Sequence, residues 1–222
     1  MATTYQAGEQ TKQLILNESK ILFYRNGYTG TTYSDISAAA KMNRALIPYH
    51  FKTKQSLGKA VIYEIINSAY NNIDEMLGTS DLSEDLNSAL HIAVYYRLLD
   101  NSKYAALIND LINDNGSDIF NMDDEIISVK ALGKNFRKLS DKQLNLICRN
   151  TIALKKELAQ CILDTSYDYN ADELTEFHIE SAMIHAGYSK KTISELIDAA
   201  LQLANLIDCK IEDGFHVSVS YI

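Results

Sequence analysis

The stretch TKQLILNESKILFYRNGYTGTTYSDISAAAKMNRALIPYHFKTKQSL, residues 11–57, decides the fold. Its apolar positions recur at helical spacing, and its turn residues divide it into short pieces. A first helix is predicted over 11–26, after which Gly27 and Gly30 bracket a turn. A second runs over 32–40, a third over 43–51, and a fourth begins at Thr53. Thr32-Tyr33-Ser34-Asp35 has the form of a capping box, in which Thr32 caps the second helix and Asp35 returns a hydrogen bond. Asn43 is placed to cap the third helix. Lys41 and Met42 make the turn between the two, with Met42 tucked inward, so that Ile36, Ala40, Met42 and Ile47 face Leu22 and Phe23 of the first helix. A tri-helical unit of about 45 residues is too small to stand firmly alone and leans on the fourth helix.

Charge separates this head from the rest of the chain. Residues 1–60 hold eight Lys/Arg against three acids, a net +5; residues 61–222 hold thirteen against twenty-six, a net −13, which together give the −8 of the whole chain. A cationic head can displace counterions from phosphate while an anionic body repels it, so only the head is expected to dock on a polyanion. The third helix is the natural reader, because a helix fits the major groove with its N-terminal residues at the base edges. Arg44, expected in its first turn, can grip guanine O6 and N7. Tyr49 and His50 follow, and Lys52 and Lys54 flank the start of the fourth helix, whose first N–H groups offer a phosphate site. The candidate DNA-contacting residues are Thr32, Asn43, Arg44, Ala45, Tyr49, His50, Lys52 and Lys54.

Beyond the head, 46% apolar residues suffice for a core, and one proline with nine glycines points to helices. Leu57, Val61, Ile65, Ala69, Ile73 and Met76 make one face of a long fourth helix. Further helices are predicted over 81–100, 102–114, 122–136, 140–164, 171–187 and 189–209, with 113–121 a loop and Gly78, Gly116, Gly187 and Gly214 as stops. Leu144, Ile147, Thr151, Leu154, Leu158 and Cys161 form a bundle seam. The last two helices, joined by a very short link, should pair antiparallel. After them Phe215, Val217, Val219 and Tyr221 alternate with polar residues, a strand pattern in an otherwise helical protein.

Several chemistries find no support. There is no secretory leader and no apolar run near the roughly 18 residues of a membrane span. Cys148, Cys161 and Cys209 lack metal or redox spacing and read as thiols of a reducing cytosol, so a cytoplasmic location is expected. No nucleophile elbow, zinc-protease, phosphate-loop or dinucleotide signature is present. His178 and His185 are seven residues apart, a poor step for one metal, and the acid pairs Asp123-Asp124 and Asp172-Glu173 suit helix first turns. No catalytic residue, metal or cofactor is therefore assigned, and an enzyme is not expected. Tyr63, Tyr70, His91, Tyr95, Tyr96 and Tyr104 fall in the fourth to sixth helices and could line an aromatic cavity, although aromatics at helical spacing also build plain core.

Residues 11–57 resemble the DNA-binding domain of TetR-type transcriptional regulators. Ile15, Leu22, Phe23, Gly27, Tyr28, Thr32, Ile36, Ala40, Met42, Tyr49, His50, Phe51, Lys54 and Leu57 carry the likeness in register without a gap. The resemblance implies an all-α homodimer whose heads read a palindromic operator and whose larger helical domain holds a small-molecule pocket and the dimer contact. The expected division is a DNA-binding domain over 1–52, a ligand-binding and dimerisation domain over 53–209, and a tail over 210–222 that is either extended or disordered. Two positions depart from the family's pattern. Lys41 stands where glycine is usual, and a left-handed backbone there costs about 1–2 kcal/mol. Pro48 stands where a phosphate-contacting tyrosine is usual; it removes the bond to the Arg44 carbonyl and predicts a shortened or kinked third helix. The expected function is a repressor released by a small molecule. The alternatives are a DNA-binding protein of the same fold working through a protein partner, and a helical module or enzyme with a vestigial head. The segments 171–187 and 189–209 are favoured for the dimer contact over 140–164.

Overall fold

The computed structural model describes residues 2–78, 82–114, 119–163, 166 and 168–222. The loop centre expected at 115–118 with Gly116, the helix start expected at 81 and the helix end at 164 lie outside the described residues. The described chain runs α1 (Ala2–Asn26), α2 (Tyr33–Ala39), α3 (Leu46–Phe51), α4 (Lys54–Leu77), α5 (Glu84–Leu98), α6 (Ser102–Asn113), α7 (Met122–Ala131), α8 (Asp141–Leu163), α9 (Ala171–His185) and α10 (Lys190–Ala204). An antiparallel hairpin, β1 (Ile207–Glu212) and β2 (His216–Tyr221), completes it. Apart from this hairpin the described residues are all-α, with an N-terminal helix-turn-helix unit and a larger helical body.

The head folds for the reasons its sequence suggests. Thr32 caps α2: the Asp35 N–H donates to Thr32 Oγ1 at 3.2 Å, and the Thr32 N–H donates to Asp35 Oδ2 at 2.8 Å. Lys41 adopts φ 51, the left-handed turn conformation otherwise suited to glycine. Ile36, Ala40 and Ile47 are buried with Phe23, and half-buried Met42 and Leu22 pack against them. Ile15, Phe51 and Leu57 join the same apolar cluster, which continues without a break into the body. The head thus borrows its core from α4, as a unit of this size must.

Several helix boundaries differ from expectation; α7, expected to run to 136, stops at Ala131, just before Gly133 at φ 152. α1 starts at Ala2, nine residues before 11. α3 begins at Leu46 rather than Asn43; Pro48 has no N–H to reach the Arg44 carbonyl, which accepts instead from Ile47 N–H at 3.2 Å, three residues on. Asn43 consequently does not cap α3: its Oδ1 accepts from the Ala45 N–H at 2.9 Å, tightening the turn, while Ala45 itself stands at the cap position. At the other end α10 stops at Ala204, and Ile207–Cys209, read above as helix, are strand.

α4 joins the two parts. Thr53 caps its start by accepting from the Ser56 N–H at 3.0 Å, and Leu57, Val61, Ile65, Ala69 and Ile73 are buried along its length. Gly58 lets α6 come close: a Cβ there would lie 2.7 Å from Leu111 Cδ2 and 3.1 Å from Tyr28 Cε2. α9 and α10 pack on one another and on α5 across a four-residue joint, Ala186 to Ser189. The tail is an ordered strap. Gly214, at φ 70, turns the hairpin instead of stopping a helix, and it lies 3.3 Å from Ile21 by the same Cβ measure. Phe215 is fully buried, its ring 5.2 Å from that of Tyr24 on α1 and 6.5 Å from that of Tyr104 on α6. Tyr221 donates to the Met76 carbonyl of α4 at 3.1 Å.

Candidate nucleic-acid interface

The residues expected to meet DNA lie at the α2–α3 surface and the start of α4. Thr32, Asn43, Arg44, Ala45, Tyr49 and Lys52 are exposed, while His50 and Lys54 are half-buried. Arg44 sits in the turn before α3 and not in the helix's first turn, because Pro48 delays the helix. Its guanidinium donates to Ser34 Oγ at 3.1 Å, which ties the turn to the first turn of α2 and holds the fork near the shared face. Tyr49 is 70% exposed and meets the His50 ring edge-on at 5.0 Å. Lys52 closes α3 at φ 59, projecting an exposed cation between α3 and α4.

The cations of the head divide into two kinds. Lys20 pairs with Glu64 of α4 at 2.8 Å and Arg25 with Asp213 of the hairpin turn at 3.4 Å, so these two bind the head to the body. Lys54 Nζ lies 4.4 Å from the centre of the Tyr28 ring, and the Tyr28 hydroxyl donates to Asp114 at 2.8 Å. Burial pulls the Lys54 ammonium below its ordinary pKa, against the opposing fields of Asp114 and Asp110. Burial and the Asp114 bond together push Tyr28 well above the usual tyrosine range. Lys41, Arg44 and Lys52 stand exposed around α2 and α3. Lys41, expected only to make the turn between α2 and α3, also adds an exposed cation there.

Of the six expected cavity residues, the structure brings four together. Tyr63 and Tyr70 of α4 with His91 and Tyr95 of α5 line a half-open cavity of about 340 Å³, whose wall also includes Phe120 and Asp124, Glu125 and Ser128 of α7. Tyr96 and Tyr104 are not in its wall. Tyr96 is fully buried, its hydroxyl 2.8 Å from His178 Nδ1, and Tyr104 is core beneath Phe215. His178, weighed above as a weak metal ligand, is a core residue, and among the described residues no group of His, Cys, Asp and Glu could hold a metal ion. The ring of His91 stacks on Tyr70 at 4.1 Å and 2°, and its Nε2 is 2.9 Å from Asp74 Oδ1. Tyr63 accepts from the Asn121 N–H at 3.2 Å, and burial with Asp124 beside it pushes its hydroxyl up to about 12. Burial likewise raises Tyr70 and Tyr95 far above the ordinary range, so all three hydroxyls keep their protons.

Glu125 and Lys155 were missed by the sequence reading. Glu125, 3% exposed, is paired with Lys155 of α8 in the cavity wall. The acidic run Asp123-Asp124-Glu125 had a sufficient explanation in the first turn of a helix. The available signal was the helical step: Glu125 shares a face with Val129 and Leu132, both buried. A wider cleft of about 840 Å³ lies between α5, the start of α9 and β1, but it is more open and rimmed by Asp100, Asp172, Glu173 and Glu176.

Residues 15–61 match the family described as bacterial regulatory proteins, tetR family. The chain carries a tetR-family head. Solved structures extend the likeness over the body. RolR in complex with its ligand resorcinol aligns at a TM-score of 0.51 and 14% identity, over 88% of this chain and 95% of that one, and shows the fold is shared. A tetR-family transcriptional regulator from Streptomyces coelicolor aligns at 0.47 and 15% identity, over 87% and 89%. A gamma-butyrolactone receptor described as ArpA-like aligns at 0.46 and 16%, over 89% and 98%. No curated protein matches the chain. The tetR-family match begins at Ile15 and ends at Val61, so it spans α1 to the first turns of α4 and stops short of the cavity.

Proposed function

We propose that this tetR-family transcriptional regulator is a cytoplasmic repressor. Two copies place their heads, residues 1–52, on a palindromic operator, and a small molecule entering the body, residues 53–209, releases them. The observation that carries this reading is the course of α4. One unbroken helix starts at Lys54 beside the exposed α3 surface and supplies Tyr63 and Tyr70 to the cavity wall. A ligand that favours one setting of α4 changes the spacing of the two heads, which must be about 34 Å for successive major grooves. It does so only by its differential affinity for the two settings. The cavity supports an effector over a purely partner-driven mode of action, for which a filled body core would be expected.

In this reading Arg44 meets a base, Thr32, Asn43, Ala45, Tyr49 and His50 line the approach, and Lys52 with the first turn of α4 at Lys54 contacts phosphate. No described helix is long and apolar enough to cross a membrane. For the pairing of copies, α9 offers Phe177 and Ile184, 55% and 47% exposed and two turns apart on one face. The test is filter binding of the chain to its own promoter region and to random DNA across a salt series. A steep fall of affinity with salt and a preference for the promoter are expected. Arg44→Ala should cost about 1–3 kcal/mol and relax sequence choice, whereas Lys52→Ala should weaken all DNA alike. Salt-independent or absent binding would leave the head a relic and remove the proposal.

A further inference from the structure

The end of α6 reaches the head beside the start of α4. The Tyr28 hydroxyl donates to Asp114 Oδ2 at 2.8 Å, and the Thr29 hydroxyl donates to Asp110 Oδ2 at 3.5 Å. The Gln55 side-chain amide donates to the Asp114 carbonyl. Leu111, between the two acids, fills the space that Gly58 leaves on α4. Asp110 lies in the last turn of α6 and Asp114 at its C-terminal cap. Helix stability does not account for this pair of acids. The C-terminal end of a helix is its negative pole, where a carboxylate is disfavoured and a cation favoured. The last turn of α6 holds no basic residue of its own.

The cation that answers them comes from α4. Lys54 Nζ lies 4.4 Å from the centre of the Tyr28 ring, whose hydroxyl is the group bonded to Asp114. A ring face attracts an ammonium. The fields of Asp114 and Asp110 act on the same ammonium and oppose the pull of burial on its proton. Lys54 is half-buried there, while Lys41, Arg44 and Lys52 stand exposed. Yet Lys54 is also the first residue of α4, where free N–H groups and a lysine together suit a phosphate. One cation thus faces two kinds of anion, a DNA phosphate from outside and the α6 carboxylates from within.

We propose that the end of α6 is an autoinhibitory clasp, in which Asp110 and Asp114 hold Lys54 on Tyr28 and compete with DNA phosphate for it. The clasp lowers the affinity of the head for DNA of any sequence, and it rests on the DNA-binding reading above. Filter binding of the full chain to a random-sequence duplex and to the promoter fragment tests it. Asp114→Asn keeps an acceptor for the Tyr28 hydroxyl and removes the charge. It should tighten binding to both duplexes about two- to fivefold at low salt, the range of one partly exposed charge contact. The gain should fade as salt rises. Asp110→Asn should act in the same direction. In a Lys54→Met background, Asp114→Asn should give little of that gain; thermal unfolding confirms that each variant is folded. Unchanged or weaker binding by Asp114→Asn would make Asp114 an anchor for Tyr28 alone, and would overturn the clasp while leaving the DNA-binding reading intact. An equal gain in the Lys54→Met background would reduce the effect to long-range repulsion and overturn the clasp as well. No binding to either duplex by any variant would remove the clasp and the DNA-binding reading together.

Discussion

Acidification should destabilise this protein through one buried imidazole. His178 is 1% exposed and lies 2.8 Å through Nδ1 from the Tyr96 hydroxyl. Burial raises Tyr96 well above the usual tyrosine range, so its hydroxyl keeps its proton and donates to a neutral Nδ1. Burial first, and the nearby Lys155 ammonium second, hold His178 well below its ordinary value. The folded chain therefore binds fewer protons than the unfolded chain once pH drops past about 6.5. The stability this group contributes is complete above that value and is lost as pH falls below it. Each pH unit is worth about 1.4 kcal/mol, so at pH 5.0 the loss is about 2 kcal/mol, a large share of a marginal fold. Urea unfolding of the wild type and of His178→Gln at pH 7.5, 6.5, 5.5 and 5.0 isolates the effect, because all other titrating groups are common to both. The wild type should lose its advantage over the variant by about 2 kcal/mol across that range. Parallel curves would show that His178 is protonated in the folded state and would refute the reasoning.

Three further outcomes are expected. Phe177→Asp, on the exposed face of α9, should weaken self-association at least thirtyfold, an interface-anchor loss of about 2 kcal/mol or more read by sedimentation; unchanged sedimentation would move the contact to another face. Lys155→Met leaves Glu125 buried and unpaired and should cost about 3–5 kcal/mol in urea unfolding, while adding Glu125→Leu should recover most of it; a double variant as unstable as the two losses combined would contradict a coupled pair. Lys41→Gly relieves a side chain held at φ 51 and should stabilise the chain by about 1 kcal/mol, so a loss of stability there would mean that the Lys41 side chain does more than occupy a turn.

The head was legible because its signals are local. The capping box over 32–35 and the turn at Lys41 and Met42 each span only a few residues, Ile36 and Ala40 stand one helical step apart, and each signal means the same thing in almost any context. Even the late start of α3 followed from Pro48, whose missing N–H needs no tertiary knowledge. The cavity was only half legible. Tyr63, Tyr70, His91 and Tyr95 reach it and Tyr96 and Tyr104 do not, although all six sit at helical spacing. What separates them is the rotation of α5 and α6 against partners far along the chain, His178 for Tyr96 and Phe215 for Tyr104. The Glu125–Lys155 pair was hidden for the same reason, since 30 residues separate the partners. The short strand at Ile207 was absorbed into a helical pattern, because an apolar residue at the right step looks the same in either until its neighbour β2 is in place.

The closing hairpin has a consequence for how the molecule is made. α1 leaves the ribosome 188 residues ahead of its charge partner Asp213, and its ring contact at Phe215 follows that. Until then a nascent head has α1 loosely held, and a chain cut short by a late stop codon never gains that anchor. An intact hairpin is thus a condition for a properly seated α1.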